Sequence, residues 1–207
     1  YYAAVLIAAT MAVSQFAILY SQIARPYSAG LFFVLLTLYG WNGFVFLEKS
    51  QKPKFLSLIF FILGMILSIY NHYFSFLMVA IIGISGLFMV SKANRKMYIL
   101  CGIAALVVFL PHLKITIKQF SAGGLGWLAA PDSDYFKLYL KYMFNQSKWY
   151  LLIILILALV AAIKLPYKMP ENKLKWLALL WFSIPLLLAY FYSVYITPVL
   201  QHSILIF

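Results

Sequence analysis

The feature that most constrains this chain is the near-continuity of its apolar runs, which short polar interruptions divide from one end to the other. Runs that approach about 20 residues read as bilayer spans. They are continuously apolar and lack the two-residue alternation of lipid-facing strands, so they predict helices and not a barrel. Only 10% of the residues are charged, against about 25% in a soluble domain, which is too few to cover a soluble surface. The expected fold is all-α, a polytopic transmembrane helical bundle forming one membrane domain over residues 1–207. Spans are predicted at 3–20, 28–47, 57–71, 73–91, 97–112, 149–165 and 173–193, with a truncated eighth from about 200. Because the sequence starts at Tyr1 and both ends lie inside apolar runs, a fragment of a longer protein is expected.

Lysine and arginine fix the expected orientation. Ten of them fall in three short connections: Lys49, Lys52 and Lys54; Lys92, Arg95 and Lys96; Lys164, Lys168, Lys173 and Lys175. The short connections of the other face carry only Arg25. Basic short loops stay on the cytoplasmic side, so these three are predicted to be cytoplasmic and residues 113–148 to form the one long external segment. Within that segment Tyr135 to Met143, with Lys137 and Lys141 four apart, suits a short helix in the membrane interface, capped by Asp132 or Ser133. The net charge of +12 is scattered over loops and never gathers into the basic face that nucleic acid requires.

Several residues are candidates for chemistry. Arg25 stands between two spans, where its planar fork of donors suits a phosphate; it suits equally a snorkelling anchor. Tyr70-Asn71-His72-Tyr73-Phe74 puts polar groups in the middle of an apolar stretch. Such groups mark either a site or a hydrogen-bonded turn. His72, His112 and His202 lie far apart and lack metal-ligand spacing, and the single Cys101 builds neither a disulfide nor a metal site. Asp132-Ser133-Asp134 has the Asp-x-Asp form of sugar-nucleotide metal sites, yet a helix start explains it. Gly123-Gly124-Leu125-Gly126 follows no strand, so it is not a dinucleotide loop, and Asn145-Gln146-Ser147 has the form of a glycosylation sequon. No carboxylate falls in a predicted span, which argues against a proton-coupled transporter and leaves no general base in sight.

Three phrases carry a resemblance. Ser21-Gln22-Ile23-Ala24-Arg25-Pro26-Tyr27-Ser28 closes one span and opens the next; Tyr70, His72, Tyr73 and Phe74 follow; then a glycine-rich run ending in Trp127, Pro131 and an aromatic helix up to Phe144. In this order the chain resembles the bacterial family 39 glycosyltransferases, which are related to protein O-mannosyltransferases and the lipid A aminoarabinose transferase. The resemblance implies a GT-C fold in a bacterial inner membrane, with an outward-facing site. It implies an inverting transfer of a sugar from a polyprenyl phosphate donor to a lipid, glycan or protein acceptor, with the lipid bilayer as a further partner and no cofactor named. Arg25, Tyr27, His72, Tyr73, Trp127, Gln201 and His202 are the expected substrate-binding residues. The family's catalytic aspartate lies in the first external loop, upstream of these residues, so no catalytic residue is expected here. The chain departs from the family after Pro198, where Val199-Leu200-Gln201-His202 replaces an Arg-Tyr pair. A non-enzymatic reading, as a flippase or as a membrane subunit of a larger assembly, fits the same composition.

Overall fold

The computed structural model describes residues 2–23, 25–47, 51–121, 128–164 and 172–201. Every regular element among the described residues is helical. The helices are α1 (Tyr2–Val13), α2 (Gln15–Gln22), α3 (Tyr27–Val45), α4 (Phe55–Asn71), α5 (Tyr73–Leu87), α6 (Lys92–Phe109), α7 (Leu113–Ser121), α8 (Tyr135–Met143), α9 (Lys148–Lys164) and α10 (Asn172–Tyr195), with a 3-10 turn, Leu110–His112, joining α6 to α7. Among the described residues three helices are long and apolar enough to cross a membrane: 27–45, 92–121 and 174–195. The bent pair α1 and α2 makes a fourth if it counts as one.

The centre is an antiparallel hairpin of α3 and α4 brought close by small residues. A Cβ added at Gly40 would stand 2.6 Å from Phe61 Cα, and one at Gly64 would stand 2.6 Å from Thr37 N. Glycine is therefore what lets the two backbones touch, the usual device where no hydrophobic effect drives helices together. Thr37 and Ser68 are fully buried along these helices, as is Ser75 on α5. Around the hairpin, Phe44, Phe61 and Tyr98 pack together with ring centroids 4.9–5.4 Å apart, Phe61 stacked on Tyr98 and Phe44 edge-on to Tyr98. Tyr98 on α6 donates to Gly83 O on α5 at 2.8 Å, and Trp181 on α10 meets Trp41 on α3 edge-on at 5.2 Å.

The expected spans differ from the helices in two places. Residues 3–20 form not one rod but α1 and α2, bent by 62° at the extended, buried Ser14. Serine readily takes the extended conformation that starts a helix, and the bend lets Phe16 and Tyr20 turn into an aromatic cluster. The helix expected to stop at 112 instead runs on through the turn at Pro111 to Ser121, 30 residues in all. Proline in the first turn of a helical segment removes a donor that is orphaned anyway, so the rod passes through it. Part of the long segment expected between spans is therefore helix.

The remaining break was expected and has a clear cause. His72 is extended between α4 and α5, and its Nδ1 accepts the Phe74 N–H at 3.2 Å. Ser75 Oγ lies 2.8 Å from both Ser68 O and His72 O, carbonyls that also accept the His72 and Phe76 N–H groups, and so ties the two sides of the break together.

Basic connections gather at one end of the bundle. Asn94 Nδ2 donates to Gln51 O at 2.9 Å, joining the segment before α4 to the start of α6. The first half of α10 lies at that same end, where Trp181 Nε1 donates to Ser85 Oγ at 3.1 Å. His72, His112 and Arg25 lie at the opposite end.

Candidate functional site

The His72 end is built by two hydrogen-bonded joints between distant parts of the sequence and one local turn. Asn71 Nδ2, at the last residue of α4, donates to Pro26 O at 2.8 Å and so pins the turn before α3 to the α4–α5 break. Beside this joint the Tyr27 and His72 rings meet edge-on at 5.9 Å. Tyr20 and Tyr142 share a hydroxyl hydrogen bond at 3.0 Å, tying α2 to α8. At the far end of α10, buried Ser193 Oγ accepts from Val199 N at 3.1 Å and Leu200 N at 2.9 Å. That turn folds Leu200 back into the cluster and sets the half-buried Gln201 beside it.

The result is one buried aromatic cluster of Phe16, Tyr20, Tyr27, Tyr135 and Tyr139, with Phe74, Phe136, Tyr142 and Tyr190 packed against it. Phe16 sits edge-on to Tyr20 at 5.0 Å and to Tyr142 at 5.7 Å; Tyr20 sits edge-on to Tyr27 at 5.4 Å. These are the geometries in which the positive edge of one ring meets the negative face of another. Helix α8 begins at an Asp132 turn, where Asp132 Oδ1 accepts from Asp134 N at 3.1 Å. The Asp-x-Asp pattern thus serves a helix start. Asn145 and Gln146, with φ of 54° and 57°, end the helix in the left-handed region.

Burial sets the protonation of the site. It pushes the Tyr139 hydroxyl up to about 12 and the Tyr135 hydroxyl higher still, helped by Tyr139 and Tyr20. It lowers His72 below the 6.5 of a free imidazole. Tyr135, Tyr139 and His72 are therefore neutral at pH 7. With its Nδ1 accepting from Phe74, a neutral His72 carries its proton on Nε2. Such a set can offer hydroxyl donors, one imidazole and ring faces, and no carboxylate. Among the described residues no three His, Cys, Asp or Glu side chains gather as a metal site.

Comparison with protein-family models, with curated proteins and with solved structures finds no match. The assignment of a site therefore rests on the geometry.

Of the residues expected from the sequence, Tyr27 and His72 come together and Gln201 lies beside their cluster. Tyr73 turns away: its hydroxyl donates to Gln119 Oε1 on α7, and its ring packs on Phe120 at 5.2 Å. The peptide N–H of Arg25 donates to Ile23 O at 2.7 Å, and its side chain is exposed two residues before Tyr27. Trp127 and His202 lie outside the described residues. Sequence reasoning missed Tyr20, Tyr139 and Tyr142. The spacing of Tyr135 and Tyr139 by four was the available signal, since it places both on one helix face. A groove of about 660 Å³ also runs between α5 and α10, lined by Ile84, Phe88, Leu177 and Trp181. It lies toward the basic end and includes none of the expected site residues.

Proposed function

We propose that this chain is part of a glycosyltransferase of GT-C type, which moves a sugar from a polyprenyl phosphate carrier to a lipid, glycan or protein acceptor outside the membrane. The observation that carries the reading is the meeting of the three resembling phrases. Asn71 bonds Pro26, Tyr27 faces His72, and α8 packs on both α2 and Tyr27's neighbours. Phrases separated by some forty residues or more in the sequence contribute to one end of the bundle, as residues of a shared substrate site must. Aromatic faces and neutral hydroxyls suit a sugar, whose C–H and O–H groups alternate.

The same reading counts seven spans: α1 with α2, then α3, α4, α5, α6 with α7, α9 and α10. Gathering of Lys52, Lys54, Lys92, Arg95, Lys96 and Lys175 toward one end supports a cytoplasmic position for that end and an outward-facing position for His72. Arg25 is then the cation nearest to Tyr27 in sequence, and its task is to hold the carrier phosphate as charge develops on the leaving group.

The test is a transfer assay on the full-length protein with purified polyprenyl phosphate sugar. A charged hydrogen bond contributes about 1.5–3 kcal/mol, so Arg25→Ala should lose roughly tenfold to a hundredfold in rate. Arg25→Lys should lose less, keeping the charge without the planar fork. Equal rates and equal donor affinity in wild type and Arg25→Ala, at equal folded yield, would remove Arg25 from the site.

A further inference from the structure

Helices α7 and α8 share a design that the aromatic site does not explain. On α8 the buried Tyr135 and Tyr139 form one face, and Lys137 and Lys141 are exposed on the face directly opposite. The exposed Leu138 and Leu140 stand on either flank of that lysine pair. On α7 the buried Thr116 and the Tyr73 partners Gln119 and Phe120 form the inner face. Lys114 and Lys118 lie opposite, flanked by the exposed Ile115 and Ile117. In both helices the lysines are four residues apart, so they rise from one stripe. None of the four ammonium groups makes a hydrogen bond or ion pair among the described residues.

We propose that these two lysine stripes bind anionic phospholipid headgroups at the His72 end of the bundle. The aliphatic flanks decide between lipid and a soluble polyanion. An acidic polymer in water gains from the lysines alone and leaves the leucines and isoleucines in contact with solvent. In the headgroup layer both kinds of side chain are satisfied: the ammonium groups reach phosphate while their stems and the flanking aliphatics rest on the acyl boundary. Asp132 and Asp134 are the acidic residues near either stripe in the sequence; Asp134, three residues before Lys137, stands at the N-terminal end of the α8 stripe, and α7 carries no acid, so lysines outnumber acids by four to two. The field at the stripes is therefore positive.

The experiment uses the full-length protein in nanodiscs of phosphatidylcholine and phosphatidylglycerol in equal parts, with a photoactivatable analogue of one lipid or the other, and maps the labelled peptides by mass spectrometry. Phosphatidylglycerol should label residues 113–121 and 135–143 more than phosphatidylcholine does. The preference should fall roughly fivefold for each lysine changed to glutamine at low salt, on its own helix only. Lys114→Arg with Lys118→Arg, and Lys137→Arg with Lys141→Arg, should retain it. Raising the salt concentration should weaken it in the unaltered protein, which tests the charge without any substitution. Equal labelling by the two lipids, or glutamine variants labelled as strongly as wild type, would overturn the proposal. So would displacement of the lipid label by a soluble acidic polysaccharide at stoichiometric concentration.

Discussion

Gly40→Ala and Gly83→Ala are the same chemical change in two helices of one bundle, and the structure gives them opposite signs. At Gly40 the new methyl group would stand 2.6 Å from Phe61 Cα and 2.7 Å from Phe61 Cβ, with backbone in the way on the α4 side. Ordinary carbon contacts begin near 3.5 Å, so α3 and α4 must separate by close to 1 Å along their contact. Overpacking of this kind costs about 1–3 kcal/mol. At Gly83 nothing stands within 4 Å of the added atom. The substitution there gains about 0.5–1 kcal/mol, because alanine loses less backbone freedom on entering a helix. The bond from Tyr98 to Gly83 O uses the backbone and survives. The two variants should therefore differ by about 1.5–4 kcal/mol, measured as midpoints of denaturant titration in detergent micelles with a helix-content readout. Equal midpoints, or Gly40→Ala above wild type, would refute close backbone contact as the basis of the α3–α4 pairing.

Three further outcomes are expected. Asn71→Ala should lower stability by about 1 kcal/mol in the same titration, since it removes the bond to Pro26 O while that carbonyl keeps the Gly30 N–H at 2.8 Å. For His72 the folded protein holds the imidazole below the unfolded value of 6.5, so the unfolded chain takes up the proton first. Stability is then full above about pH 6.5 and falls as the pH drops toward the folded value; His72→Asn, which can still cap α5, should flatten that part of the curve. Gln146→Gly should raise the unfolding free energy by about 1 kcal/mol in the same titration, because a left-handed backbone strains glutamine and not glycine.

Much of the helical plan was legible because it is local. The polar residues between Tyr70 and Phe74 announced a break inside an apolar stretch, and the break sits at His72 with the helices on either side close to their expected limits. The bend at Ser14 left no such sign, since a lone serine in an apolar run is equally at home inside a helix; what selects the bend is the fit of Phe16 and Tyr20 into rings from other helices. Pro111 misled in the other direction, as it reads as a terminator and lies instead in the first turn of a helical segment that continues into α7. Membership of the site was legible only in part. Tyr27 and His72 stood out as members of polar phrases, whereas Tyr20 and Tyr142, 122 residues apart, meet through packing that no spacing rule encodes. Tyr73 shared the phrase of His72 and yet points to α7, because neighbours at a helix start face different sides.

The unequal lengths of the helices have a consequence for whatever surrounds them. The rod 92–121 is about 45 Å long, while α4 and α5, of 17 and 15 residues, reach about 26 and 23 Å. A hydrocarbon layer of about 30 Å cannot match both. In a bilayer the long rod relieves its excess by tilting or by standing clear of the surface. On the seven-span reading proposed above, the short pair is matched by thinning of the lipid beside it or by flanking side chains that reach outward. Where α4 meets α5 the helices fall about 4–7 Å short of that layer, so a dip there draws the water boundary down to the polar groups of Asn71 and His72. Under the proposed function, a lipid-linked donor approaching from that side would meet the protein at a local dip in membrane thickness, with less of its chain to lift before its headgroup reached His72.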